Sequence, residues 1–329
     1  MVTQEQIAKK LGVSRQLVTF ALAGYPQVSA ASRKRILAAA AQLGYQPNPH
    51  ARALKNASTG IIALWIPDQI STHYSHVARE LNRLVKKLKH ELIITEVANR
   101  AAEEVLSHVP VDGVMAVDAP RAVTAYLSAA RARKVPVVYI GADRFARTDC
   151  VQVDLLTGAN QVMTHLLASG FRRIVHATFM TKDHPAATRR RGYLQAMEAA
   201  GLPPEFLYYP LSEEQRPLVR QLVQDYIRKH GCPEAIFCHS DDVAVGIYRG
   251  LRDLHLRVPQ DVALVGCDGI PDVEYLECPI TTLVQPVAEM CATAWQFLQR
   301  RLEAPTIARQ ITVLKPTLVA RESSRRGQP

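Results

Sequence analysis

The chain has 329 residues, a formal net charge of +10 from 40 Lys and Arg against 30 Asp and Glu, and 48% hydrophobic residues of which few are aromatic. That length exceeds one ordinary core and predicts two or three domains, and the aliphatic bias favours helices packed on parallel sheets over an aromatic-rich sandwich. No run approaches the roughly 18 consecutive apolar residues of a membrane helix, and the chain opens on polar Thr3, Gln4, Glu5 and Gln6; a cytoplasmic protein with no membrane partner is expected.

The first 59 residues carry Lys9, Lys10, Arg15, Arg33, Lys34, Arg35, Arg52 and Lys55 against the single acid Glu5, so seven of the ten net charges fall in this segment. So uneven a distribution points to a polyanionic partner. Thr3 followed by Gln6 has the form of a capping box and predicts a helix from Gln4 to Leu11. Gly12 supplies the conformation that ends it, and Ser14 caps a second helix from Arg15 to about Ala23. In that helix Leu17, Val18, Ala21 and Leu22 form the apolar stripe, leaving Arg15, Gln16, Thr19 and Phe20 on the other side. Arg suits the O6/N7 edge of guanine and Gln the N6/N7 edge of adenine; Phe20 either meets a thymine methyl or folds into the small core. A third helix capped by Ser29 places Ile36, Leu37, Ala40 and Leu43 inward, with Arg33, Lys34 and Arg35 near its first turn, and ends at Gly44. Pro47, Asn48 and Pro49 then break the helix, and His50 to Asn56 can form at most a short turn of helix that is marginal alone.

From Gly60 onward short apolar runs alternate with amphipathic stretches. Strands are predicted over Ile61–Ile66, Leu92–Val97, Gly113–Val117, Val137–Ile140, Ile174–Thr178, Ala235–Cys238 and Ala263–Cys267. Helices are predicted over Val77–Leu88, Ala122–Arg133, Asn160–Ser169, Arg190–Ala200, Leu218–Lys229 and Val243–Leu254. Strict alternation argues for parallel sheets covered on both faces, and some 270 residues of it for two such subdomains. Ligands of open parallel sheets bind beyond the carboxyl ends of strands, which directs attention to Asp68 to Tyr74, Gly141, Arg189, Ser240, Asp241 and Asp268. The six cysteines form no CxxC pair and read as small buried residues, with no metal site or cofactor signalled.

The run Ile7-Ala8, Leu11-Gly12-Val13-Ser14, Val18-Thr19, Leu22-Ala23-Gly24, Val28-Ser29, Gly44-Tyr45, Pro47-Asn48 and Ala51-Arg52-Ala53-Leu54 closely resembles the start of the lactose/galactose-repressor (LacI/GalR) family. The resemblance continues through Ile66-Pro67-Asp68 with His73-Tyr74, Arg189 with Gly192-Tyr193, Val265-Gly266-Cys267-Asp268 and Gln285-Pro286. It implies an all-α helix-turn-helix DNA-binding domain over 1–46, a hinge over 47–59, and an α/β periplasmic-binding-protein-like, two-lobed effector and dimerisation domain over 60–329.

By that resemblance Arg15, Gln16, Thr19 and Phe20 lie on DNA-reading positions, with Phe20 where arginine is common. Asn48, Arg52, Leu54 and Lys55 lie in a hinge that folds on DNA, with Leu54 as a minor-groove wedge between Arg52 and Lys55. His73, Tyr74, Arg189, Ser240 and Asp268 are the implied effector contacts. Members often have an acid at the place of Gly141 and an asparagine at that of Ser240; these departures weaken an ordinary pyranose reading, and the run Arg189-Arg190-Arg191 suggests an acidic or phosphorylated effector. The expected function is a transcriptional regulator, most simply a repressor, controlled by a sugar-related or anionic small molecule. With no leucine heptads at the C-terminus, a homodimer reading a pseudo-palindromic double-stranded operator is expected. A solute-binding protein would explain the large domain but leave the basic start without a purpose. An enzyme is not expected: His239-Ser240-Asp241-Asp242 are adjacent residues, which do not converge as a triad.

Overall fold

Helix α1 (Gln4–Leu11) starts at a complete capping box, in which the Thr3 side chain accepts from the Gln6 backbone and the Gln6 side chain accepts from that of Thr3. It ends at Gly12, whose left-handed φ of 65° lets the chain turn straight into Ser14, the N-cap of α2 (Arg15–Leu22). Ser29 caps α3 (Ala30–Gln42) in the same way. The three helices close on Ile7, Ala8, Val18, Ala21, Val28, Ile36, Ala39 and Ala40. Leu37, placed inward from the sequence, is 47% exposed, and Ala39 takes the inner position. The stripe is Ile36, Ala39, Ala40 and Leu43, the i, i+3, i+4, i+7 set, which leaves position 37 turned outward.

The computed structural model describes residues 2–45, 58–67, 71–97, 110–128, 135–142, 145–179, 187–210, 212 and 214–326. It divides at Thr59, with one unit over Met1–Thr59 and the other over Gly60–Pro329. Asn48, Arg52, Leu54 and Lys55, expected to lie in a hinge, and Asp68, expected at a strand end, lie outside the described residues.

The second unit holds two six-stranded sheets. Strands β1 (Ile61–Ile66), β2 (Glu91–Glu96), β3 (Gly113–Val117), β4 (Val137–Gly141) and β5 (Asp149–Val153) form the first with β11 (Ile311–Leu314), in the order β11-β5-β4-β3-β1-β2. Strands β6 (Ile174–Phe179), β7 (Glu205–Tyr209), β8 (Ala235–Cys238), β9 (Ala263–Asp268) and β10 (Thr281–Val284) form the second with β12 (Thr317–Val319), in the order β12-β10-β9-β8-β6-β7. Every pairing is parallel except β10 with β12. The inner strands β1, β3, β4, β8 and β9 are almost wholly buried and apolar, as sheets covered on both faces require.

Helices α4 (Thr72–Lys87), α5 (Pro120–Ser128) and α10 (Val287–Glu303) belong to the first lobe; α6 (Leu155–Ala168), α7 (Ala187–Ala199), α8 (Gln215–His230) and α9 (Asp241–Asp253) belong to the second. The chain therefore crosses between lobes three times, after β5, after β10 and between β11 and β12. Helix α10 follows β10 but packs back on α4 and on β3 to β5, so each lobe is completed by a segment from the far side of the sequence. Among the described residues no helix is long and apolar enough to cross a membrane.

Five strands (β5, β7, β10, β11, β12) and α10 go beyond the elements predicted from the sequence. Helix α10 carries a clear 3.6-residue stripe of Val287, Met290, Cys291, Ala294, Trp295 and Leu298, all buried. Helices α4, α6, α7 and α8 begin three to five residues earlier than predicted.

Candidate functional sites

In the first unit Arg15 and Gln16 are exposed on the first turn of α2, clear of the core. Thr19 is tied inward: its hydroxyl donates to Gln4 Oε1 at 2.8 Å, with the Arg15 carbonyl oxygen at 3.0 Å, and Gln4 Nε2 in turn donates to the Tyr45 hydroxyl at 3.0 Å. This chain of bonds locks α2 to α1 and to Tyr45 just past the end of α3. Phe20 is half-buried, packed on the core with its ring 5.1 Å from that of the exposed Tyr25. Of the basic trio, Arg33 donates to the Tyr25 carbonyl and Arg35 to that of Leu11, fastening the turn after α2 and the end of α1. The outer face of α2 is thus held rigidly, with an arginine and a glutamine at its tip.

The second unit presents a cleft where theory of open sheets places one. Each sheet reverses its strand order beside its first strand, between β1 and β3 and between β6 and β8, and the residues beyond those carboxyl ends face one another. His73 and Tyr74 come from the first turn of α4, Asp118 from the end of β3, Arg189 from α7, His239 and Ser240 from the end of β8, and Asp268 from the end of β9.

Arg189 is 8% exposed. Its Nε donates to His239 Nδ1 at 3.1 Å and its Nη2 lies 2.8 Å from Nε2 of the same ring. Burial opposes its charge, yet Cys267, Asp268 and Asp118 hold its pKa above the ordinary value. Asp268 is 6% exposed and accepts from Gln285 Nε2 at 2.8 Å. Burial lifts its carboxyl above the usual range while the Arg189 charge and the Gln285 bond act against the lift. The Asp268 backbone has φ 122°, and Gly269 follows at φ 78°. This unusual turn is pinned by Asp241, fully buried at the start of α9, whose carboxylate accepts from the Gly269 and Ile270 backbones at 2.6 and 2.9 Å and from the Thr282 hydroxyl at 2.7 Å. Asp241 is therefore a positioning residue that presents Asp268.

His73 is 5% exposed, and neither ring nitrogen has a hydrogen-bond partner among the described residues. Burial drives its imidazole down to about 4, so it is neutral at pH 7. Its ring stands edge-on to Tyr74 at 5.5 Å, and the Tyr74 hydroxyl reaches toward Asp118 Oδ2 at 3.4 Å. Ser240 caps α9, accepting from the Val243 backbone, which leaves its own hydroxyl proton to donate. Ser240 thus sits in that cap, Asp241 in the turn, and His239 against Arg189.

The arginine run does not act as a cluster. Arg190 stacks on Phe206 and Tyr208, 5.1 and 5.7 Å from the ring centres, and Arg191 is exposed, so only Arg189 enters the cleft. The expectation of an acidic or phosphorylated effector rested on that run, and the cleft instead sets two carboxylates, Asp118 and Asp268, around one guanidinium. Sequence reasoning passed over Asp118, for which strand-end position was the available signal; that same signal singled out Asp241 but not its role, because the bonds that define the role come from segments distant in sequence.

A latch joins the lobes at the edge of this cleft. Asp242 of α9 accepts from the Thr72 backbone and hydroxyl, both at 2.9 Å, and from Arg216 at 2.6 Å, while Arg216 also reaches Asp272. A carboxylate of one lobe thereby caps the first helix of the other.

A basic helix-turn-helix unit joined to a two-lobed α/β domain with a polar cleft defines a ligand-sensing DNA-binding regulator. Residues 3–48 match the family model described as bacterial regulatory proteins, lacI family, and residues 163–324 that of a periplasmic binding protein-like domain. The ribose operon repressors of Escherichia coli (strain K12) and Haemophilus influenzae are 29% and 28% identical, each aligned over 98% of this chain and 100% and 98% of their own lengths. Catabolite control protein A of Priestia megaterium is 25% identical over 98% of this chain and 99% of its own length. The lac repressor dimer bound to operator shares the fold with a TM-score of 0.82 at 21% identity, covering 98% of this chain and 99% of that one. A LacI-family regulator from Silicibacter pomeroyi does so with 0.84 at 22%, covering 99% and 100%. The chain belongs to the LacI family and is a sequence-specific DNA-binding transcriptional regulator.

Proposed function

We propose that this regulator is a repressor that acts in the cytoplasm as a homodimer on a pseudo-palindromic operator, and that a neutral polyhydroxylated small molecule of the sugar class, bound between the lobes, controls that binding. Arg15 and Gln16 read base edges in the major groove, with Thr19 and Phe20 shaping the contact surface, and Asn48, Arg52, Leu54 and Lys55 act from a hinge over 47–59. Arg189 donates to ligand hydroxyls, Asp268 accepts from them, Ser240 adds a donor, and His73 and Tyr74 close the first-lobe side. The single observation that carries the effector reading is the pairing of buried Arg189 with two carboxylates across the strand-reversal points of both sheets. An anion would meet two carboxylates for one guanidinium; a polyol supplies O–H donors to both. Relatives named ribose operon repressors, and a structural neighbour with bound ribose, support the sugar class.

Fluorescence anisotropy with labelled DNA from upstream of the gene tests both halves. Arg15→Ala/Gln16→Ala loses specific binding while wild-type binding weakens steeply with salt, and D-ribose or another neutral sugar shifts the wild-type affinity. Equal binding by the double variant overturns the DNA reading; a shift produced by phosphorylated sugars alone overturns the neutral-effector reading.

A further inference from the structure

Four observations converge on Asp118, one of the two carboxylates around Arg189. It sits at the end of β3, at the point where the first sheet reverses order. Its backbone has φ 45°, a left-handed conformation that is costly for a residue with a side chain and is kept where surroundings impose it. Its carboxylate stands among Tyr74, His73 and Arg189, and His73 is 95% buried with both nitrogens lacking a partner among the described residues. Buried polar atoms without partners are rare, and they mark places where a ligand completes the hydrogen bonding.

The fourth observation explains a glycine. A Cβ at Gly141, at the end of the neighbouring β4, would lie 2.6 Å from the Tyr139 hydroxyl oxygen and 2.7 Å from Asp118 Oδ1. The volume that any side chain at 141 would enter is already filled by the Asp118 carboxylate and the Tyr139 hydroxyl. The two positions are therefore coupled: Asp118 occupies the cleft because 141 is glycine, and 141 cannot take a side chain while Asp118 is there.

We infer that Asp118 is the first lobe's ligand-binding carboxylate, accepting hydroxyl hydrogens of a neutral polyol whose other face is taken by Asp268 and Arg189 of the second lobe. The ligand then bridges one carboxylate from each lobe, and specificity is set by the separation of those two acceptors. This rests on the neutral-polyol reading above.

The test uses full-length protein and isothermal titration calorimetry with D-ribose, D-xylose, D-glucose and D-ribose 5-phosphate, together with ligand-free thermal melts. Asp118→Asn weakens the best neutral ligand about tenfold or more, as loss of a charged acceptor requires, while its ligand-free Tm is held or raised. Unchanged affinity in Asp118→Ala overturns the assignment alone. A ligand-free Tm lowered by more than about 5 °C in both Asp118→Asn and Asp118→Gly marks a structural residue and also overturns it. Wild-type protein that binds none of the three neutral sugars overturns the polyol reading, and the role of Asp118 with it.

Discussion

Replacing His73 with phenylalanine, which keeps a ring in the pocket but cannot take a proton, measures how dry the cleft is. In the unfolded chain His73 gains its proton near 6.5, whereas in the folded protein burial delays this to about 4. Between those values the unfolded state holds more protons, so wild-type stability is complete above the unfolded value and declines as pH falls toward the folded one. From pH 7 to pH 5 the residue alone removes about 2 kcal/mol, and about 3 kcal/mol once pH falls below both values. His176, buried and driven down to about 3, loses stability in the same direction, and Asp268, raised by burial, in the opposite one; both are present in each protein, so the difference between the two pH profiles isolates His73. Urea unfolding followed by tryptophan fluorescence reads the right part of the molecule, because Trp65 and Trp295 both lie in the first lobe that carries His73. The expected result is a His73→Phe profile shallower by about 2 kcal/mol over that range. Parallel profiles would show that His73 is hydrated or paired, and would remove the argument that its nitrogens await a ligand.

Three further perturbations follow from the packing. Gly266→Ala places a Cβ 2.0 Å from Asp241 Oδ1 and must break the buried carboxylate's bonds to the 268–270 turn; it costs about 3 kcal/mol or more, read as a lowered urea midpoint, and an unchanged midpoint refutes the role given to Asp241. For the latch, a double-mutant cycle of Thr72→Val with Asp242→Ala gives a coupling of about 1 kcal/mol in the unfolding of the second unit, and additive effects would show that the contact contributes nothing. Ser14→Ala removes the acceptor for the Leu17 backbone and lowers the stability of residues 1–59 by about 1 kcal/mol, followed by thermal circular dichroism of that segment, with no change as the refuting result.

Local chemistry was readable where it is decided by neighbours in sequence. The caps Thr3, Ser14 and Ser29 and the left-handed Gly12 act within four residues of themselves, so α1 and α2 could be placed to within a residue. The apolar runs of β1, β3, β8 and β9 were equally plain because strands buried on both faces carry no polar interruption. Leu37 was misplaced because a leucine next to Ile36 fits a broad stripe as well as a narrow one, and only packing against α1 and α2 narrows it. Strands β11 and β12 are four and three residues long and pair with β5 and β10, more than 30 residues away in sequence. Nothing local distinguishes them from a loop. The same distance hid the use of the arginines: Arg189, Arg190 and Arg191 look alike in sequence, but successive helical positions turn by about 100°, which sends one to the cleft, one onto Phe206 and Tyr208, and one to solvent.

The three crossings and the cleft are physically one assembly. A Cβ at Gly158 of α6, just past the first crossing, would lie 2.5 Å from Leu283, just before the second, and 2.7 Å from Pro316 in the third. Only a glycine lets the three segments approach so closely, and their packing leaves little freedom for one to slide without the others. Gln285 sits in the second crossing and donates directly to the Asp268 carboxylate, while its backbone donates to the Asp268 carbonyl. Any ligand that draws on Asp268 therefore acts on a residue bonded to one of the segments that join the lobes. The latch from Asp242 to Thr72 adds the second requirement, a contact that exists only while Thr72 of the first lobe and α9 of the second are held together. The proposed polyol and this latch both draw on residues from the two lobes, and a ligand shifts an equilibrium only by binding one arrangement better than another.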